Sequence, residues 1–364
     1  LANGAQLSYS YVEPLASPQT LASLPGMLLS SQSPLRFRPQ LDWRQWAWGL
    51  QFLAACTPRQ VQAGTRALLQ LSQHSRQTLS DWMAAEQWSF DFERNGKLVL
   101  CRDAAGLARQ AQQVDFQRQL GCEQSVLSAD ACVAREPALQ HYRSQFAGGV
   151  WTPDERVADP HQLCLALTAS LLRGGATTSF LTQLQGFVTR QDRVVAVRTS
   201  QGELQADAFV LATGPDAARH AAQLGVYVPV YPIKGYSITV PLRAGVAAPR
   251  VSVTDLSRKT VFAPLGGRLR VAAMAEVGGY GLDIPQDRVQ RMVDAVDAVF
   301  PGACDLASPS SWAGLRPATP TSVPIIGRRK YRNLFLNVGH GALGLTLAAG
   351  SAAALGQEMR QTLA

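Results

Sequence analysis

The stretch Leu334-Phe335-Leu336-Asn337-Val338-Gly339-His340-Gly341-Ala342-Leu343-Gly344-Leu345-Thr346 runs an apolar strand into a three-glycine loop and then into a helix of small residues. Glycine carries no Cβ, so backbone N–H groups in such a loop can approach a flat or anionic ligand closely. The N-terminus of the following helix adds a partial positive charge. A tight turn with close helix–strand packing is the other reading of the same letters. His340 reads more readily as a residue held by its backbone than as a catalytic base. Gly339-x-Gly341-x-x-Gly344 has the letters of the dinucleotide fingerprint, but that fingerprint belongs after a first strand, and this copy lies near the C-terminus.

Two further clusters lie upstream. In Trp312-Ala313-Gly314-Leu315-Arg316-Pro317-Ala318-Thr319-Pro320, Arg316 stands alone among weakly charged neighbours. A guanidinium fork is the natural clamp for a substrate carboxylate, with a structural salt bridge as the alternative. In Pro232-Ile233-Lys234-Gly235-Tyr236-Ser237, Tyr236 is placed either to hydrogen-bond a carboxylate or as a sheet-face tyrosine.

Around these clusters the element order is α/β, then mixed β with a helix, then α/β again. Pro58 opens a helix over residues 58–88, and Asn95-Gly96 reads as a hairpin dipeptide before the strand Lys97-Leu98-Val99-Leu100. A second helix spans residues 104–120. Asp159-Pro160 is an N-cap followed by an N1 proline, and Gly174-Gly175 stops that helix. Val194-Val195-Ala196-Val197 and Gln201-Gly202 read as a strand and its turn. Ala208-Phe209-Val210-Leu211-Ala212-Thr213-Gly214 is a continuous apolar run, which predicts a strand buried on both faces. Residues 227–275 alternate like antiparallel strands, with Tyr236, Ile238 and Val240 on one face, and residues 287–300 form an amphipathic helix. Trp43, Trp46 and Trp48 share about one helical turn, as a core-facing stripe or as a membrane or partner patch. Such an order suits a nucleotide-binding domain interrupted by a sheet-based substrate domain.

Composition bounds the class. The chain has 364 residues, 46% of them hydrophobic and 16% charged, which suits two packed domains and excludes large-scale disorder. No charge-free apolar run reaches the roughly 20 residues that a spanning helix needs, so the protein is expected in the cytoplasm or peripherally attached to a membrane. The net charge of +8 comes almost wholly from arginine, with lysine only at 97, 234, 259 and 330. No basic block supports nucleic-acid binding; anionic lipid or an anionic substrate fits better. Six cysteines without a Cys-x-x-Cys pair argue against a zinc site or a disulfide framework, and for buried thiols in a reducing compartment. The start at Leu1-Ala2-Asn3-Gly4-Ala5-Gln6, with neither methionine nor signal-peptide character, suggests that a segment upstream is missing.

Taken together the chain resembles the D-amino-acid dehydrogenase (small subunit) branch of the D-amino-acid-oxidase-like FAD enzymes, to which glycine oxidase is related. The carrying motifs are Ala2-Asn3-Gly4-Ala5-Gln6, Gly148-Gly149-Val150-Trp151, residues 231–237, Met274-Ala275-Glu276, Trp312–Pro320 and Asn337–Thr346. The family's first βαβ unit, which holds the FAD pyrophosphate, is not represented, and Thr321 stands where the family often has an aspartate.

The resemblance implies a Rossmann-like FAD-binding domain, incomplete at its N-terminus, over residues 1–20, 145–228 and 308–364. It implies an antiparallel-sheet substrate domain over residues 21–144 and 229–307. It also implies hydride transfer from the α-carbon of a D-amino acid or cyclic imino acid to flavin N5, with electrons passed to a quinone-type acceptor at the inner membrane face. Arg316 would hold the carboxylate with Tyr236 assisting. Gly339, His340, Gly341, Ala342, Leu343, Gly344, Leu345 and Thr346 would face the isoalloxazine, where the helix N-terminus favours the anionic reduced flavin. Ala2, Asn3, Gly4, Gln6 and Leu7 would contact the flavin from the other side. Leu184 would lie beside the adenine, and Ala212, Thr213 and Gly214 would line the cofactor cleft. A glycine- or sarcosine-type oxidase using O2, and an inactive FAD-fold subunit, are the alternatives.

Overall fold

Local capping chemistry sets the helix limits. The computed structural model describes residues 3–29 and 35–363. Thr57 caps the helix Pro58–Glu86 by accepting from the Gln60 N–H, and the helix ends where Gln87 turns left-handed at φ 54°. Asp159 caps Pro160–Arg173 by accepting from the N–H groups of His161 and Gln162. The expected helices Ala104–Arg118 and Gln286–Val299 are also present. Pro58–Glu86 lies against the C-terminal helix Gly344–Leu363. Gly350 makes that approach possible, because a Cβ there would stand 2.7 Å from the Ser75 nitrogen and 2.8 Å from the Leu71 carbonyl oxygen.

Nine strands form a large, mostly antiparallel sheet. Its order is Ser310–Ala318, Tyr231–Pro241, Arg268–Val277, Thr260–Leu265, Ser252–Asp255, Lys97–Cys101, Gly148–Thr152 and Ser125–Ser128, with Leu35–Phe37 added beside the end of Arg268–Val277. One face packs on the helix Gln286–Val299 through Tyr236, Ile238, Val240, Val289, Met292 and Val296. A smaller sheet runs Phe209–Leu211 parallel to Leu334–Val338, which pairs antiparallel with Ile325–Arg328. It shares a core with the antiparallel strands Leu184–Arg190, Arg193–Thr199 and Gly202–Gln205 through Val194, Leu211 and Leu336. The fold is thus an α/β layer joined to a sheet domain.

Several expectations change. Gly148–Thr152 and Ser310–Ala318, placed by sequence on the cofactor side of the domain division, are hydrogen-bonded into the large sheet. The apolar run 208–214 yields only the three-residue strand Phe209–Leu211, and Val210 is 44% exposed. Among the described residues this strand pairs on one side only, so it is an edge strand and not a central one. Asn95-Gly96 does not close a hairpin. Gly96 is needed there because a Cβ would run into the Trp151 ring at 2.1 Å. The tryptophans divide: Trp48 is buried, whereas Trp43 and Trp46 face outward.

All six cysteines are free, five of them buried. Among the described residues no helix is long and apolar enough to cross a membrane, and no cluster could hold a metal ion.

Candidate active site

Arg316 sits on the strand Ser310–Ala318 in register with Ile233. Strand alternation puts it over Gly235, where a Cβ would come within 2.3–2.4 Å of the guanidinium. Gly235 is therefore the space that lets the arginine lie flat on the sheet. The Nη1 donates to the Met274 carbonyl at 3.1 Å. That carbonyl is aimed by a bulge: the pairing of the two strands shifts between Lys234 and Tyr236, and Met274 adopts φ 66°. Among the described residues no carboxylate lies within 4 Å of Arg316. Burial lowers the guanidinium pKa, which marks a cation short of a counter-charge.

The same alternation separates Tyr236 from Arg316. Tyr236 belongs to the face that packs on Gln286–Val299, and its hydroxyl donates to Glu276 Oε2 at 3.3 Å. Glu276 also meets Arg38 at 3.0 Å, so this corner is an ionic lock at the sheet edge. Burial raises the Tyr236 pKa. Tyr236 and Arg316 thus lie on opposite faces of the sheet, because Tyr236 stands three residues from Ile233, the register partner of Arg316.

On the Arg316 face lies the segment that follows the start of the chain. A Cβ on Gly4 would meet Ala272 at 3.7 Å, and Arg270 donates to the Asn3 carbonyl at 3.2 Å. Ala5 holds φ 56°. Gln6–Leu7 pairs with Arg156–Val157. The Gln6 amide reaches Ser252, and its Oε1 accepts from Lys97 Nζ at 2.9 Å. Ala2 lies outside the described residues.

Glu155 accepts the N–H groups of Tyr9, Ser10 and Tyr11 at 2.8–3.1 Å, which fixes the chain as it leaves this strand. Burial raises the Glu155 pKa and draws that of Lys97 down to about 8. Neither residue carried a sequence signal, since the partners of Glu155 are backbone groups and those of Lys97 are the side chains of Gln6 and Ser8, all remote in the chain.

The glycine loop completes the arrangement. Gly339 has φ 86°, and a Cβ there would strike Thr319 Cγ2 at 2.5 Å, so this glycine serves packing. Gly341 has φ 54° and open space around it, with the nearest atom 3.9 Å from a built Cβ. A short 3-10 turn, Gly341–Leu343, leads into the helix Gly344–Leu363 and packs beside the Arg316 strand, where Ala318 bridges His340. Ala342 is exposed, while Leu343 and Leu345 are partly buried. Thr346 Oγ1 accepts the N–H of Ser8, which follows Leu7, at 2.9 Å and so holds the glycine loop beside the N-terminal segment. The His340 ring pairs with Ser351 at 2.8 Å, and burial draws its pKa down to about 4. It is neutral near pH 7 and turned toward the helix, as befits a structural histidine.

The carboxyl ends of the two parallel strands form the remaining wall, which is where open α/β sheets take ligands. Thr213 Oγ1 and Asn337 Oδ1 are buried there without a protein partner. Gly214, at φ 57°, has nothing within 4 Å of a built Cβ. Ala212 is exposed, and Leu184 packs on the core around Leu211. Unsatisfied buried oxygens beside open glycines fit a large polar ligand such as FAD.

The arrangement fits a class, the flavoproteins. A family model described as DAO, FAD dependent oxidoreductase, matches residues 3–358, and the chain belongs to that family. It is an enzyme, and its cofactor is FAD. The chain is 47% identical over 364 residues to D-amino acid dehydrogenase 2 of Ralstonia nicotianae, with 97% of this chain and 86% of that one covered. It is 42% identical to D-amino acid dehydrogenase 2 of Pseudomonas aeruginosa, with 98% and 85% covered. In three dimensions it is similar to glycine oxidase from Geobacillus kaustophilus, with a TM-score of 0.74, 22% identity, and 81% and 79% of the two chains covered.

Proposed function

We propose that the protein oxidatively deaminates D-amino acids or cyclic imino acids to 2-oxo acids or imines, and that its electrons pass to a membrane quinone while it sits peripherally at the inner membrane face. The observation that carries the reading is Arg316, a partly buried cation with no carboxylate within 4 Å among the described residues, laid over a glycine on the face that also holds Asn3 and Gly4. FAD, when bound, accepts the hydride that leaves the substrate α-carbon. The chain's own part is positioning. Arg316 takes the substrate carboxylate in a fork, with Met274 holding one arm of the guanidinium. The neutral amine needs no strong side-chain base, which agrees with a His340 that is turned away and neutral. The N-terminus of Gly344–Leu363 favours negative charge that develops beside Gly341–Leu343. Water then hydrolyses the released imino acid to a 2-oxo acid and ammonia. The names of the relatives at 47% and 42% identity support D-amino acids as the substrate class.

The test is anaerobic mixing of the purified FAD-loaded protein with a panel of D-amino acids, proline analogues and glycine. Bleaching of the flavin spectrum is expected with D-amino acids, and no bleaching with any of them would sink the proposal. Peroxide formed in step with turnover would reassign the acceptor to O2. Arg316→Ala is expected to lower kcat/KM by on the order of 2–5 kcal/mol, the loss of a buried charge-assisted clamp. An unchanged kcat/KM would place the clamp elsewhere.

A further inference from the structure

The helix Trp43–Ala55 is apolar on two opposite faces. Its inner face buries Trp48, Phe52 and Ala55, and the Trp48 indole N–H donates to the Ala318 carbonyl at 2.8 Å. Its outer face carries Trp43, Trp46, Leu50 and Leu53 at helical spacing, with exposures of 60%, 51%, 70% and 44%. Leu41 stands fully exposed just before the helix, and Tyr227, also exposed, stacks on Trp43. Single exposed apolar residues are ordinary, but a continuous stripe along a helix marks a contact surface.

The stretch of chain that carries the stripe is mostly of one sign. From Pro14 to Ser80 the only carboxylate is Asp42, against six arginines. Asp42 is engaged as the cap of this helix, accepting from the Arg44 N–H. Arg38, paired with Glu276, and Arg44, 3.9 Å from Asp42, flank the stripe with 45% and 31% of their side chains exposed, and exposed Arg59 follows its far end.

We infer that this face docks on an anionic lipid bilayer. Trp43 and Trp46 suit the headgroup level, Leu50 and Leu53 the acyl boundary, and the flanking arginines the lipid phosphates. A second copy of the chain fits less well, since a two-fold contact would bring arginine rim against arginine rim. The inference rests on the reading above, that electrons leave for a membrane quinone.

The experiment is co-sedimentation of the FAD-loaded protein with vesicles of phosphatidylcholine alone and of phosphatidylcholine mixed with phosphatidylglycerol. The wild type is expected to bind the mixed vesicles and to release as salt rises. A double variant, Leu50→Glu with Leu53→Glu, is expected to lose roughly tenfold or more in partitioning. Both proteins should keep the same D-amino-acid turnover with a soluble dye, since neither leucine lies at the site. Equal binding by wild type and variant, or no binding of the wild type to mixed vesicles, overturns the inference. So does a wild-type dimer in light scattering that the variant dissolves, which assigns the face to a second copy. Loss of dye-linked turnover in both proteins instead overturns the substrate reading and leaves the vesicle result standing.

Discussion

Gly235 shows how one missing side chain shapes the site. Its alanine variant places a methyl group 2.3–2.4 Å from the guanidinium atoms of Arg316. The arginine must then lift off the sheet and lose Met274. KM for D-amino acids is expected to rise roughly 10- to 100-fold, about 1.4–2.8 kcal/mol, with melting temperature nearly unchanged, because a shift of about 1 Å in a clamp is costly. Steady-state kinetics beside a thermal melt checks this, and unchanged KM would mean that Arg316 does not touch substrate.

His340 gives a pH prediction. Its folded pKa lies near 4, below the ordinary 6.5, because burial disfavours the imidazolium. The stabilisation it brings is full above pH 6.5 and is lost as pH falls toward 4, up to about 3 kcal/mol. Urea midpoints of the wild type should therefore drop more between pH 7 and 4.5 than those of His340→Gln. Parallel drops would count against the buried neutral imidazole.

At the level of elements, the close contact of Pro58–Glu86 with Gly344–Leu363 holds the glycine loop in place. Backbone atoms of Leu71 and Ser75 press on Gly350, and backbone cannot swing aside as a side chain can. Gly350→Ala is expected to destabilise the protein by about 1–3 kcal/mol through overpacking, readable as a lower urea midpoint. A midpoint equal to wild type would show that the two helices can part freely.

Strand pairing explains the residues that sequence reading misplaced. Alternation did put Tyr236 with Ile238 and Val240 on one face. Which face Arg316 would share depended on the register Ile233↔Arg316, a partnership across more than 80 residues. The bulge at Met274 is equally hidden in the sequence, because it too depends on strand pairing.

Across the whole molecule, the expected flavin segments come from distant parts of the chain, chiefly residues 2–7, 212–214 and 339–346. Thr346 accepts a direct hydrogen bond from Ser8, the residue next to the first of them. A cofactor held by all three must tie the folded state together. FAD at 100 times its Kd is expected to add about 2.7 kcal/mol of stability, seen as a melting temperature that rises with FAD concentration. A melting temperature indifferent to FAD would show that these segments do not grip it.

What the sequence determined by itself was local. Thr57-Pro58 and Asp159-Pro160 begin helices because a side-chain oxygen and a proline satisfy the first turn wherever they stand. The glycine loop after Leu334–Val338 and the isolated Arg316 were legible because their chemistry is written in neighbouring letters. Tertiary structure decided which side each residue looks toward. It turned Trp43 and Trp46 outward while burying Trp48, left Val210 exposed on a strand with one partner, and sent Asn95-Gly96 under Trp151 instead of into a hairpin. It also turned His340 of the opening stretch away from the site, onto Ser351. The reason is range: capping and turn chemistry act within a few residues, whereas burial and facing follow from strand register and helix packing between segments far apart in the chain.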